Sequence, residues 1–211
     1  MPAQTRKREC SGVMVTITGA MTAASLDDLV HLQDLNLMQQ ARGIDLSSLD
    51  ARLKSRDRMQ AFFQQLQRFL KPELTLEIGA HMAPFSRKMS RLGFEAHAFE
   101  ANPYNFAAFS DYLRRRAPKV RYHHLAVSDA DGEVPFQIKE SRSGKAVSKV
   151  AGNNSLLARS NDSYAYESAN VPSVRLDSFL RQNALEGRSF SAWIDVEGAL
   201  GKVTSGFGSA L

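Results

Sequence analysis

Leu76-Glu77-Ile78-Gly79-Ala80-His81-Met82-Ala83-Pro84-Phe85-Ser86, "LEIGAHMAPFS", joins a short apolar strand to a helix through a turn that holds one glycine. Open α/β sheets place their ligands beyond the carboxyl ends of the strands, so this turn is where a ligand is expected. A dinucleotide site there needs Gly-x-Gly-x-x-Gly, which lets the backbone approach a pyrophosphate at the helix start. Here only Gly79 is glycine; Ala83 and Pro84 remove permissive geometry and an amide donor, and acidic Glu77 repels phosphate. S-adenosylmethionine carries no phosphate and tolerates the bulkier turn, and Glu77 can hold its methionine amino group directly or through water.

Downstream, the chain alternates short apolar strands with helices, the pattern of a parallel sheet. Leu74 to Ile78 reads as the first strand, Pro84 as the first residue of a helix and Gly93 as its stop. Glu95 to Phe99 is the second strand. Asn102 caps and Pro103 opens a helix that halts before Pro118, with Phe106, Phe109, Tyr112 and Leu113 on one face. Val120 to Val127 is the third strand and Val134 to Ile138 an outer one, since proline sits at edges or bulges. Leu176 to Leu180 opens a short helix, and Ala192 to Val196 is a buried fourth strand ending in Glu197-Gly198.

Each strand end carries a polar group: Glu77, then Glu100, then Ser128 and Asp129, then Asp195 and Glu197. Glu100 lies 23 residues beyond Glu77, near the offset of about 20 at which an acid accepts the hydroxyls of a cofactor ribose. Residues 139–172 are polar, rich in Ser, Asn and Gly, and read as a long loop, a lid and acceptor site or a mobile surface segment. Tyr164 and Tyr166 can stack on a sugar face there, with Asn153, Asn154 and Ser155 hydrogen bonding nearby.

Upstream, residues 1–70 read as an N-terminal helical extension and 71–211 as the α/β domain. Ser25 caps one helix bearing Leu26, Leu29, Val30 and Leu37; Ser48 caps another bearing Leu53, Met59, Phe62, Phe63, Leu66 and Leu70, which Pro72 ends. A Met and Phe stripe at this spacing is a core face.

The five blocks LEIGAHMAPFS, AFEANPYNFAAF, HLAVSDADG, VPSVRLDSFL and WIDVEGAL stand in the order and spacing of the FkbM family of S-adenosylmethionine-dependent methyltransferases, which the chain resembles over about residues 74 to 200. The resemblance implies a Rossmann-like class I methyltransferase sheet, mostly parallel, and O-methylation of a sugar hydroxyl or a related small or lipid-linked acceptor. It implies that Glu77 and Gly79 contact the methionine part, Glu100 the ribose, Ser128 and Asp129 the adenine side, and Asp195 and Glu197 the floor near the transferred methyl, with Ala80, His81 and Asn102 also among the cofactor-binding residues. Asp195, Glu197 and His81 are the candidate general bases, unranked. Asp195 and Glu197 also offer carboxylate oxygens to a divalent ion, as alternate residues leaving a strand end.

The chain departs from the family pattern at His81, where Asn is usual, at Ala83, where a second Gly is usual, at Ala101 for Pro and at Leu200 for a second Glu. It also stops soon after the fourth strand, where the family sheet has seven. The reading is therefore of a domain truncated after that strand, whose open edge awaits a partner copy or the N-terminal helices. The alternative reading is a non-catalytic binding or interaction module.

Composition sets outer bounds. The chain has 211 residues, 43% of them hydrophobic, and a net charge of +5. The densest basic group, Arg114, Arg115, Arg116, Lys119 and Arg121, falls where a helix ends and complements its dipole; without interleaved aromatics it gives little reason to expect nucleic acid. The single cysteine, Cys10, forms no internal disulfide, which suits a reducing compartment and a cytoplasmic location. No apolar run reaches the roughly 18 residues of a membrane helix.

Overall fold

The computed structural model describes residues 13–15, 61–152, 154–158 and 163–210. The expected helix around Leu26 to Leu37, the first part of the helix capped by Ser48, Cys10 and Asn153 lie outside the described residues.

Four parallel strands form the centre: β2 (Leu74–Ile78), β3 (Glu95–Glu100), β4 (Val120–His124) and β9 (Phe190–Ile194). A three-residue strand, β1 (Val13–Val15), lies antiparallel against β9, giving the order β1-β9-β2-β3-β4. The edge of β9 that the sequence leaves open is thus occupied by the chain's own N-terminal segment, as a strand and not as a helix. From β2 the chain runs outward through β3 and β4, then returns on the other side of β2 as β9. That reversal makes the carboxyl ends of β2 and β9 the place for a ligand.

Side-chain parity explains which face each strand residue serves. Leu74, Leu76 and Ile78 bury against Phe179 and Leu180 of α4 (Leu176–Gln182), Val203 of α5 (Leu200–Ser205) and Phe207. Leu200, where the family often has Glu, packs against this core. Thr75 and Glu77 point to the other face, covered by α2 (Pro84–Arg91) and α3 (Pro103–Arg116). There Ala80, Ala83, Ala96, Ala98, Leu113 and Val120 pack, small residues that bring helix and sheet close. A further helix, α1 (residues 61–70), sets Phe63 edge-on to Phe85 and Trp193 at 4.9 and 5.7 Å, and Ser191 of β9 donates to Gln67.

The helix signals act as the sequence indicates. Pro84 is the first residue of α2. At its end Gly93 N–H reaches Ser90 O and Phe94 N–H reaches Met89 O, the paired bonds by which a left-handed glycine closes a helix. Asn102 Oδ1 caps α3 by accepting from Tyr104 N at 2.8 Å, and Arg114, Arg115 and Arg116 occupy its last turn.

Two expectations fail. The strand 120–127 breaks at Leu125: β5 (Ala126–Val127) leaves the central sheet and pairs with β8 (Tyr164–Val174). Nor is 139–172 one long loop. β6 (Gly132–Arg142) runs past Ile138 and pairs antiparallel with β8 over eleven residues, with a bulge between Lys139 and Ser141, and β7 (Lys145–Ala146) adds to its far edge. The ribbon buries only Phe136, Ile138, Val171, Ser173 and Val174, so its sequence lacks the apolar alternation by which strands are recognised.

Candidate functional site

At the carboxyl ends of β2, β3 and β9 lies a cleft of about 700 Å3, its open mouth included. Its floor is Gly79. This residue has φ +83, and a Cβ on it would lie 2.0 Å from the carbonyl oxygen of Asp195. Asp195 N–H donates to Ile78 O at 2.8 Å, drawing the two strand ends together. Glycine is required here twice over, for its left-handed backbone and for the close approach.

Glu77 serves the turn. Ala83, in the N-cap position of α2, is left-handed (φ 52) and has no side chain able to cap. Glu77, facing α2 by strand parity, supplies the missing acceptors: its two oxygens take Phe85 N at 3.2 Å and Ser86 N at 2.6 Å. Burial pushes its carboxyl up to about 7, against the downward pull of those amides. Glu77 does not line the cleft.

Glu100 does. It is 5% exposed; one oxygen accepts from His81 N at 2.6 Å and the other from Asn102 N at 2.7 Å. Burial holds the carboxyl above its ordinary value, against the downward pull of those two amides and of the Asn105 side chain. His81 stands at φ +48, its carbonyl accepting from Tyr122 OH and its ring edge-on to Phe109 at 4.8 Å. Partial burial lowers the imidazole's affinity for a proton, so it is neutral at pH 7. Burial and the charges of Glu100 and Glu77 keep the Tyr122 hydroxyl protonated, as its donor role demands.

Asp195 and Glu197 line the opposite side. Glu197 has φ +49 and precedes Gly198 at φ +94; its carbonyl accepts from Ser155 Oγ at 3.1 Å. Among the described residues, the charged ones lining the cleft are Glu100, Asp195 and Glu197. No group of three or more His, Cys, Asp or Glu among the described residues is arranged to hold a metal ion. Leu125, Val127, Phe136 and Leu156 make an apolar wall.

Of the residues singled out in the sequence, the cleft unites Gly79, His81, Glu100, Asp195 and Glu197, with Asn154 at its rim. The others lie elsewhere. Ala80 bonds Phe99 O through its amide and packs in the core beneath α3. Asn102 is buried as the cap of α3, its Nδ2 donating to Lys149 O at 2.9 Å. Ser128 donates to Asp129, which pairs with Lys202 of α5 away from the cleft. Tyr164 and Tyr166 stand on the outer ribbon, where Lys139 lies 4.2 Å over the Tyr164 ring.

The sequence reading missed Asn105 and Tyr122; within 139–172, read as a lid and acceptor site or a mobile segment, Ala151 and Gly152 line the cleft. Asn105 carried a usable signal: it sits in the first turn of α3, three residues past the cap, at the same end of the sheet as Glu100.

A family model described as "Methyltransferase FkbM domain" matches residues 77–199, more than half of the chain. Among solved structures, the chain is similar to the Burkholderia thailandensis 1,6-didemethyltoxoflavin-N1-methyltransferase with bound 1,6-didemethyltoxoflavin and S-adenosylhomocysteine. The identity is 17%, the match covers 63% of this chain and 55% of that one, and the TM-score is 0.27. The chain thus spans a little over half the length of that protein. No curated protein matches.

Proposed function

The chain belongs to the FkbM methyltransferase family, and from that premise we propose that it is an S-adenosylmethionine-dependent O-methyltransferase whose acceptor is a neutral hydroxyl compound, a sugar or a related small or lipid-linked molecule. The observation that carries this reading is the convergence of Glu100, Asp195 and Glu197 on one cleft at the carboxyl ends of β2, β3 and β9.

The residues fit the cofactor. Glu100 offers carboxylate oxygens to a ribose diol, the apolar wall suits a base, and the close approach at Gly79 leaves a floor without side chain for the methionine part. Bound there, S-adenosylmethionine supplies an activated methyl group, which leaves sulfur as its bond to the acceptor oxygen forms. A hydroxyl acceptor must lose its proton in that step. Asp195 and Glu197 are carboxylates on the cleft side away from Glu100, and His81 is a neutral imidazole; each can take that proton. Because the methyl is activated beforehand, most of the rate comes from alignment and exclusion of water.

The acidic lining also bears on the acceptor. A phosphate or carboxylate would meet the like charges of three carboxylates in the cleft, which argues for a neutral acceptor. The test is methyl transfer from labelled S-adenosylmethionine to paired panels of neutral and phosphorylated sugars. Transfer only to neutral hydroxyl compounds is expected; transfer only to phosphorylated ones overturns the acceptor assignment. A chain that binds the cofactor and methylates nothing in either panel favours the non-catalytic reading.

A further inference from the structure

Helices α2 and α3 carry six cations, Arg87, Lys88, Arg91, Arg114, Arg115 and Arg116, against one acid, Asp111. Two neighbouring helices therefore hold the whole net charge of +5, and the remainder of the chain balances. The structure draws these side chains onto one surface. The Arg87 guanidinium lies over the Tyr112 ring at 5.1 Å, which joins the outer faces of the two helices. Arg91 stands one turn beyond Arg87, and Arg115 and Arg116 one turn beyond Tyr112, so a strip runs from Arg91 through Arg87 and Tyr112 to Arg115 and Arg116. Tyr112 is 38% exposed, and Lys88, Arg91 and Arg114 to Arg116 are exposed with it. Among the described residues, Arg114 is the one cation of the six in an ion pair, with Asp111 at 2.8 Å.

The helix dipole explains only part of this strip. It favours cations in a last turn, yet Arg87 lies in the N-terminal half of α2. Like charges held this close repel one another, and an anionic partner relieves that repulsion. The form of the partner follows from the backbone. Both helices start at the cleft end of the sheet and run back to the amino ends of the strands, so their amide-lined N-termini, which would seat a single phosphate, lie at the other end. The strip meets its partner instead through long side chains reaching outward, which suits a plane of charge. Arg87 occupies a face of the Tyr112 ring, which leaves that ring ill-suited to the base stacking that single-stranded nucleic acid uses. Arginine stems and a tyrosine ring pair apolar bodies with polar tips, the combination that settles at the boundary of lipid headgroups and water. We propose that the α2–α3 face docks the protein on a bilayer bearing anionic phospholipid headgroups. Docking there leaves the cleft open and is independent of what the cleft binds.

Flotation of the full chain with vesicles of phosphatidylcholine alone, and of phosphatidylcholine with about 30% phosphatidylserine, tests this at low and at physiological salt. The wild type should bind the mixed vesicles about tenfold or more tightly than the neutral ones, a preference that shrinks as salt rises. Each cation near such a surface is worth about fivefold in partitioning. The triple variant Arg114→Gln, Arg115→Gln, Arg116→Gln should therefore lose about tenfold or more. The triple variant Arg142→Gln, Lys145→Gln, Arg181→Gln removes the same charge from exposed positions on β6, β7 and α4, and should lose less than about threefold. Melting transitions show that each chain is folded. Equal wild-type binding to the two kinds of vesicle overturns the proposal without recourse to any variant. An equal loss in the two triple variants overturns it too, since net charge alone would then govern binding. So does tighter binding of an RNA oligonucleotide than of the mixed vesicles, which would give the face to nucleic acid.

Discussion

Gly79 and Asp195 touch backbone to backbone: a Cβ on Gly79 would lie 2.0 Å from the Asp195 carbonyl oxygen. That contact joins the turn after β2 to the end of β9 and sets the width of the cleft between them. Gly79→Ala should cost about 1–2 kcal/mol for the left-handed backbone and about 1–3 kcal/mol for overpacking. Ala83→Gly is the matched control. It relieves a left-handed alanine worth about 1 kcal/mol and loses a buried methyl worth about 0.8 kcal/mol, so it should be near neutral. Urea denaturation of both variants checks the contrast; a Gly79→Ala chain as stable as the wild type would remove the close-approach argument.

Glu77 and His123 should give opposing pH dependences. The Glu77 carboxyl, raised from 4.5 to about 7, keeps a proton in the folded state that the unfolded chain releases. Its contribution is full below pH 4.5 and is lost as pH rises to 7. His123, half-buried in a stack with His97 and Phe99, is lowered from 6.5 to about 4. Its contribution is full above pH 6.5 and is lost as pH falls to 4. Between pH 4.5 and 6.5 the two slopes oppose each other. Glu77→Gln removes one of them, so the stability of the variant relative to the wild type should rise by about 1.4 kcal/mol per pH unit in that window. A difference between the two that does not change with pH, by denaturant melts, would contradict the assignment.

Asp195 and Glu197 separate by turnover. Removal of a general base lowers the rate by about 10²- to 10⁴-fold. Asp195→Asn and Glu197→Gln, assayed singly with an acceptor found in the neutral panel, should include at least one variant with such a loss in kcat and a far smaller change in cofactor affinity. Full turnover in both would move the base to His81.

The cleft's charge should be felt by the cofactor's sulfur. The sulfonium of S-adenosylmethionine is a cation and the thioether of S-adenosylhomocysteine is not. The three lining carboxylates should therefore favour the former by about three- to tenfold at low salt, a preference that shrinks as salt screens it. Affinities for both ligands at two ionic strengths measure this, and a salt-independent preference for the uncharged ligand would be inconsistent with an acidic cleft.

Much of this was legible in the sequence, for identifiable reasons. Pro84, Gly93, Asn102 and Pro118 punctuate local backbone, and local rules suffice to place the helices they bound. Glu100 was legible because it ends a strand, and strand ends converge in a parallel sheet. Glu77 also ends a strand, but its role depends on parity and on the defect at Ala83, which only the packed structure relates. Ser128 and Asp129 looked equivalent to the other strand ends, yet the chain leaves the sheet at Leu125 and carries both residues to Lys202. Beyond Val134 to Ile138, the β6–β8 ribbon escaped detection because its outward residues are polar on both strands, and the contribution of 149–152 depends on Asn102 and Asn105 gripping its carbonyls.

The central claim is that this cleft holds S-adenosylmethionine through Glu100. Its most direct test is titration calorimetry of the chain with S-adenosylmethionine beside Glu100→Ala, with both proteins shown to be folded by their melting transitions. Saturable one-to-one binding by the wild type, weakened at least tenfold in the variant, is the result the account predicts. Equal binding by the two, or none by the folded wild type, would contradict it.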